Sequence, residues 1–470
     1  LWQEHAQSQP VSKIRKSFTC LLDTLTARNG LVAYIPIIFV TICMFCGASW
    51  QIFLHNNDPA RYQCYALMFW FGSGATALLP ATQCKFFHEF LPPGLQPPFH
   101  ILPLEYPPLT LLPFSLALLA PQPYYQLAFA FLMSLTSVLI YWLLLRYAPR
   151  GGALIFALYL LIGAVATAQA RFDLIPAALT LLCIIAAERK YWTAAYIALA
   201  FGTLIKLYPI LLLPALFIAE QQAHGHIHIL PQQLSISSIV LQLWRTLRGA
   251  IQWRWKNCLV FFAILLSVTG IFALLNFKGA FISQLSYFML RPVQVEATGS
   301  TLLWIAGYLG TPLQIVYTYG SLNIVSPPGG IISLVGSACM ALGFLFALWM
   351  QWQGKLDIAQ ISIALLFVFI ATGKVFSTQY LIWLIPLLAY TGAFDTFWLL
   401  LWGAISLLTT YIQTYFYTRP VDSLLIPHTS GFFESVTLRN ALFILVALAY
   451  LFNWFRIRRR KPIPTLHGYL

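Results

Sequence analysis

Apolar runs long enough to cross a lipid bilayer follow one another from about Ala33 to residue 455, and short basic clusters separate them. A spanning helix takes ~20 apolar residues. With 60% hydrophobic and 9% charged residues in 470, the chain is expected to be an all-α, polytopic integral membrane protein, with no stretch polar enough for a separate soluble domain.

The 27 Lys and Arg against 13 Asp and Glu give a net charge of +14, which in a soluble chain would raise the question of nucleic acid. Placement argues against that partner. Lys13, Arg15 and Lys16, then Arg146 and Arg150, Arg189 and Lys190, Arg245, Arg248, Arg254 and Lys256, and Arg456 to Lys461 fall in clusters between apolar runs. This is the positive-inside pattern of cytoplasmic loops facing anionic membrane lipids.

The same rule sets the path of the chain. A cytoplasmic arm (1–32) leads into a transmembrane domain (33–455) and a basic cytoplasmic tail (456–470). If both Tyr106 to Ala120 and the adjoining Tyr124 to Leu145 crossed, Arg146 and Arg150 would lie outside. The shorter, proline-bearing run is therefore expected to lie in the outer interface, and the run 300–318 to stay on the same side. About twelve passes result, with both termini inside. The first external loop (55–121) carries interfacial helices, a basic loop (220–257) is cytoplasmic, and a second large loop (277–329) is external. Crossing runs shorter than ~20 residues must be tilted, broken or shielded by neighbours.

The eight cysteines show neither zinc-ligand spacing nor a disulfide framework. Cys43 and Cys46 sit in an apolar run, where packing is expected rather than redox chemistry. Cys64 and Cys84 share the first external segment, which leaves a disulfide open to them.

This topology places most of the remaining ionisable residues at outer helix ends: Asp58, Arg61, Glu105, Arg171, Asp173, Lys206, Lys278, Arg291, Glu296 and Lys374. Charge at membrane depth is costly and usually faces a cavity, so these residues are expected to line one outward-facing polar site. Converging Arg and Lys suit a phosphate or diphosphate on a lipid whose tail stays in the bilayer. One carboxylate remains to take a proton from an attacking hydroxyl.

Asp58, directly after the first span in His-Asn-Asn-Asp-Pro, is the candidate base; the plainer alternative is a surface pair with Arg61. Three prolines, Pro103, Pro107 and Pro108, fix the backbone around Glu105 and Tyr106. Arg171 and Asp173 could form a local buried ion pair, and Lys206 could simply snorkel to the interface. Gly-Lys-Val-Phe-Ser-Thr-Gln-Tyr (373–380) lacks the spacing of a nucleotide phosphate loop. His224, His226 and His228 alternate without a supporting carboxylate or cysteine, so no metal site is expected.

Asp58, Glu-Tyr-Pro-Pro-Leu (105–109), Arg-Phe-Asp-Leu-Ile-Pro (171–176), Lys-Leu-Tyr-Pro (206–209), Arg-Pro-Val-Gln-Val-Glu (291–296) and Gly-Lys-Val-Phe-Ser-Thr-Gln-Tyr-Leu-Ile-Trp (373–383) occur in this order. Together they resemble the GT-C superfamily of polytopic glycosyltransferases, and most of all its bacterial polyprenyl-phosphate-mannose-dependent mannosyltransferase-like branch. The resemblance implies a plasma (inner) membrane enzyme that inverts a sugar as it moves it from polyprenyl phosphate to a lipid or glycan acceptor on the outer face. It also implies an acidic base in the first external loop, which maps onto Asp58.

On this reading Arg171, Lys206, Arg291 and Lys374 hold the donor phosphate, while Glu105, Tyr106, Asp173, Tyr208, Glu296, Gln379 and Tyr380 position sugar or acceptor. No metal or other cofactor is expected, because a lipid phosphate is already a good leaving group. A lipid-linked-sugar transporter would be expected to show inverted repeats and midplane charges, which the sequence lacks. A non-catalytic subunit of a larger membrane complex would keep the fold and lose transfer.

Overall fold

The computed structural model describes residues 30–54, 57–80, 83–84, 100–227, 244, 248–392, 395–419 and 422–452. The basic arm before residue 30, the tail after 452, Arg245 and His228 lie outside the described residues.

The first apolar run is broken into α1 (Ile35–Gly47) and α2 (Ser49–Phe53). Next, α3 (Asp58–Phe71) begins with the Asn57 side chain accepting from the Ala60 N–H at 3.4 Å and with Pro59 in the first turn. Both are helix-start signals, so the polar stretch after the first run turns directly into a new helix. The proline-bearing run becomes α4 (Leu111–Leu116), flanked by single 3-10 turns. Even the whole stretch Pro108–Leu119 would reach only ~18 Å as an α-helix, against a hydrocarbon core of ~30 Å.

The rest of the bundle consists of α5 (Tyr125–Tyr147), α6 (Gly152–Ala164), α7 (Leu174–Glu188), α8 (Trp192–Ile205), α9 (Leu213–Ala223) and α10 (Lys256–Leu275). These are followed by α11 (Ser283–Leu290), α12 (Thr298–Tyr308), α13 (Gly329–Trp352), α14 (Ile358–Thr372), α15 (Leu381–Thr391), α16 (Thr396–Tyr411) and α17 (Phe432–Leu451). Each run expected to cross contains a helix. Among the described residues, five helices are long and apolar enough to span alone, or six if the bent stretch from Leu31 to Phe71 counts as one span.

The long helices α10 and α13 bury only 11% and 6% of their apolar windows in the protein, whereas the short α15 is buried along its entire length and α14 along most of it. A lipid-facing helix must satisfy its own backbone across the full hydrocarbon thickness, while one surrounded by protein can stop early and leave its ends to neighbouring groups. The polytopic, helical membrane architecture thus has the lipid-facing α10 and α13 at one extreme and the protein-enclosed α14 and α15 at the other, with the long helices containing α5, α16 and α17 about half buried between them.

The segment 277–329, expected as a second large external loop, departs from expectation in its structure. The run 300–318 is not one interfacial element: it divides into α12 and a strand, because Gly310, Thr311 and Pro312 break the helix. Strands β1 (Val293–Gln294), β2 (Gln314–Thr318) and β3 (Ser321–Val325) form a small antiparallel sheet in the order β1-β3-β2. Thr318 pairs with Ser321, so Tyr319 and Gly320 alone make the hairpin turn, both at positive φ (53° and 70°). That is the backbone a two-residue hairpin of primed type requires.

Cys64 and Cys84 are disulfide-bonded, tying α3 to residues 83–84, where the Gln83 amide also donates to the Ala60 carbonyl at 3.1 Å. The bond closes a loop of sequence separation 20, for which chain entropy predicts a stabilisation of ~3 kcal/mol. Replacing Cys64 with Ser should lower unfolding stability by about that amount, and dithiothreitol should do the same to the wild type. Cys43 and Cys46 are both free.

Candidate functional site

One face of α3 carries Asp58, Arg61, Tyr62 and Tyr65, the spacing that stacks side chains along a helix. The Arg61 guanidinium lies 3.5 Å from one Asp58 oxygen and pairs with Glu105. Arg171 pairs with the other Asp58 oxygen, and the Tyr65 hydroxyl donates to Glu105 at 3.0 Å. Glu105 is presented by the proline-fixed loop as the sequence suggested, and Gln284 of α11 clamps that loop by donating to the carbonyls of Pro103 (2.9 Å) and Tyr106 (2.6 Å).

A second cluster adjoins the first. α8 ends at Ile205, Lys206 takes an extended conformation, and a 3-10 turn from Tyr208 to Leu212 follows, so that the Lys206 side chain is turned inward. Its ammonium donates to an Asp173 oxygen at 2.5 Å, and the Trp383 indole donates to the same oxygen at 2.6 Å. The Trp383 ring stacks on both Tyr208 (4.2 Å) and Tyr380 (3.9 Å). Phe172 lies 4.7 Å from the Lys206 ammonium, and Tyr106 packs edge-on against Phe172. Burial pushes the Lys206 ammonium pKa down, against the pull of Asp173.

Two plain alternatives give way here. Arg171 and Asp173 do not pair locally: with Phe172 packed among Tyr62, Tyr106 and Phe114, Arg171 reaches Asp58 on α3 while Asp173 faces Lys206. Nor does Lys206 snorkel to the interface, because the buried Asp173 carboxylate holds it in. Asp58 does pair with Arg61, but inside a network where it is only 13% exposed rather than on an open surface.

Arg61, Arg171 and Lys206 thus balance Asp58, Glu105 and Asp173. Arg291 is different. It is buried, and its guanidinium donates to Tyr287, to Ser321 at 2.5 Å and to Asn323 at 3.5 Å, all of them neutral. Among the described residues no carboxylate pairs with it.

Arg291 is nevertheless joined to the clusters. Next to Ser321, the hairpin glycine Gly320 sits so close to Glu105 and Arg61 that an added Cβ would overlap the Glu105 carboxylate. Tyr287 is within electrostatic reach of Arg291, Glu105 and Arg61, and Tyr380 of Arg291 and Asp173. Arg291 also lines a groove of about 480 Å³ with Lys374, Ser333 and Ser337 of α13, opening beside the exposed Met289, Leu290 and Leu334.

The remaining expected residues are placed less centrally. Lys374 faces that groove and donates to the Met289 carbonyl at 3.2 Å. Gln379 is buried, and its side-chain oxygen has no hydrogen-bond partner among the described residues, as is also true of the second Asp173 oxygen and the Arg171 Nε. Glu296, expected to position substrate, is occupied within the protein. Tyr417 donates to one carboxylate oxygen (2.9 Å) and Arg439 to the other (3.0 Å), while Arg439 and Asn440 also donate to its main-chain carbonyl. Glu296 therefore ties the sheet-bearing loop to α17.

Tyr65, Tyr287, Trp383 and Arg439 complete these networks without having been assigned a role from sequence, and Arg61, expected only to line the site or pair with Asp58, also holds Glu105. Two signals were available: the i, i+3, i+7 spacing of Asp58, Arg61 and Tyr65, and the presence of a lone arginine in the apolar run of α17.

Fold and site together define a polytopic helical membrane protein whose charged cluster gathers at one end of the bundle, where α3 and α7 begin and α8 ends. No family model and no curated protein matches the sequence. Among solved structures, the chain is similar to ArnT from Cupriavidus metallidurans bound to undecaprenyl phosphate, at 15% identity and a TM-score of 0.42 over 89% of this chain and 76% of that one. It is also similar to the apo state of ArnT from the same organism, at 15% identity and a TM-score of 0.39 over 87% and 76%. At that identity and superposition neither likeness assigns an activity.

Proposed function

We propose that this protein is a membrane glycosyltransferase that moves a hexose, mannose by the resemblance of its motifs, from a polyprenyl-phosphate donor to an acceptor hydroxyl. The observation that carries this reading is Arg291: a buried guanidinium without a carboxylate partner among the described residues, standing between a carboxylate-bearing cluster and a groove that opens among lipid-facing side chains. An unpaired buried cation is costly. A lipid phosphate supplies the missing anion while its chain remains in the bilayer.

In the reaction the acceptor oxygen attacks the anomeric carbon, the bond from that carbon to the phosphate oxygen breaks, and the phosphate departs with the electron pair. Asp58 accepts the hydroxyl proton. It is preferred to Asp173 because it is 13% exposed, whereas Asp173 is 1% exposed and held by Lys206 and Trp383. An incoming phosphate competes with Asp58 for Arg171, which leaves the carboxylate freer to act as base. Arg291, Arg171 and Lys206 stabilise the charge developing on the phosphate, the larger catalytic term, with Lys374 at the mouth of the groove. Glu105, Tyr106, Tyr208, Gln379 and Tyr380 border the sugar.

Two arguments favour an outward-facing site. The disulfide beside α3 suits an oxidising compartment, and the basic pair Arg189 and Lys190 lies at the opposite end of α7. The test is transfer of labelled mannose from polyprenyl-phosphate mannose by the full chain in phosphatidylcholine vesicles. Transfer is expected, with Arg291→Gln raising KM for the donor by about tenfold or more. Transfer by Arg291→Gln with the donor KM of the wild type, or none by the wild type across the plausible lipid-linked donors and acceptors, would contradict the reading.

A further inference from the structure

At the far end of α7, roughly 22 Å along the helix from Asp173, the structure holds a second polar cavity that the transfer reaction does not use. Its volume is about 620 Å³. Lys190, Arg254 and Lys256 line it together with His224, and among the described residues no carboxylate does.

Its architecture is that of an anion site. Two helices, α8 and α10, begin at its wall, neither with a side-chain cap on its first N–H groups. The Thr193 hydroxyl donates to Asn257 at 2.8 Å and ties the two helix starts together, while Asn257 donates in turn to the buried Glu220 at 2.7 Å. Gln221 accepts from the Arg254 N–H (3.0 Å) and donates to the Arg254 carbonyl (3.2 Å), fixing the backbone that carries that guanidinium. Lys190 is held at φ 63°, a left-handed conformation seldom taken by a side-chain-bearing residue. Among the described residues, three cations and two helix starts without a side-chain cap meet here at one space.

We infer that this cavity binds the phosphodiester headgroup of an anionic glycerophospholipid. The surroundings favour a lipid over a free phosphate. Tyr191 and Trp255 are exposed beside the cavity, as aromatic side chains at a membrane interface are, and α10 continues from it as a lipid-facing helix with Leu259 and Leu266 exposed. A headgroup in the cavity therefore places its acyl chains along α10.

The test uses the full chain in phosphatidylcholine nanodiscs, titrated with phosphatidylglycerol in one arm and inorganic phosphate in the other, followed by native mass spectrometry and thermal unfolding. The expected result is one retained phosphatidylglycerol per chain with a raised Tm. The Arg254→Gln, Lys256→Gln double variant should bind about tenfold more weakly or worse, with an unchanged Tm in pure phosphatidylcholine. Should the double variant fold poorly, Lys190→Gln, at an exposed turn, should weaken retention severalfold by itself. Equal retention of phosphatidylcholine, equal stabilisation by inorganic phosphate, or wild-type affinity in these variants would overturn the inference.

Discussion

Asp58→Asn is expected to lower kcat for sugar transfer by ~10²- to 10⁴-fold, the range typical for loss of a general base, without raising KM for the lipid donor. The substitution keeps the side chain's size but only one acceptor oxygen, so one of the Arg61 and Arg171 contacts is kept, as a neutral hydrogen bond, and the other is lost. It also removes a negative charge from a cluster in which Arg61, Arg171 and Lys206 otherwise match Asp58, Glu105 and Asp173. Phosphate binding should therefore stay level or tighten while chemistry fails. Steady-state kinetics separate the two: a fall in kcat at constant or lower KM marks Asp58 as the base. A rise in KM at constant kcat would mark it as a binding group only.

Arg439→Met is expected to destabilise the protein by ~3–5 kcal/mol, the cost of leaving one partner of a buried ion pair alone. Both members are buried, and after the substitution the Glu296 carboxylate retains, among the described residues, only the Tyr417 hydroxyl. Adding Glu296→Gln should recover part of that loss, so the double variant should be more stable than the sum of the single variants predicts. Denaturant unfolding of the three variants measures the coupling. The same set separates a structural from a substrate-contacting Glu296: a folded double variant with the donor KM of the wild type is the structural outcome.

How much was legible in the sequence follows from what each feature costs. Ionisable side chains are so expensive at membrane depth that those outside the basic clusters were expected to converge, and Asp58, Arg61, Glu105, Arg171, Asp173 and Lys206 do meet, whereas Glu296 pairs with Arg439 and Lys374 faces the groove. The pairing was not legible. Asp58 meets Arg171, and Asp173 meets Trp383 across 210 positions, and nothing local distinguishes these partners from the nearer pair Arg171 and Asp173.

Glu296 looked like its neighbours because its partner, Arg439, lies 143 residues away in an apolar helix. Hydropathy also could not tell the protein-enclosed α14 and α15 from the lipid-facing α10 and α13, since both kinds are apolar all round. The hairpin was hidden for the same reason: β2 and α12 share one apolar run, and only Gly310 and Pro312 between them hinted at a break.

The most direct measurement is a cryo-EM map of the full chain with polyprenyl phosphate added. Phosphate density touching the Arg291 guanidinium and reached also by Arg171 and Lys206, with the chain leaving along the groove by α13, is the predicted result. A well-defined lipid phosphate bound elsewhere, with Arg291 still held only by Tyr287, Ser321 and Asn323, would contradict it.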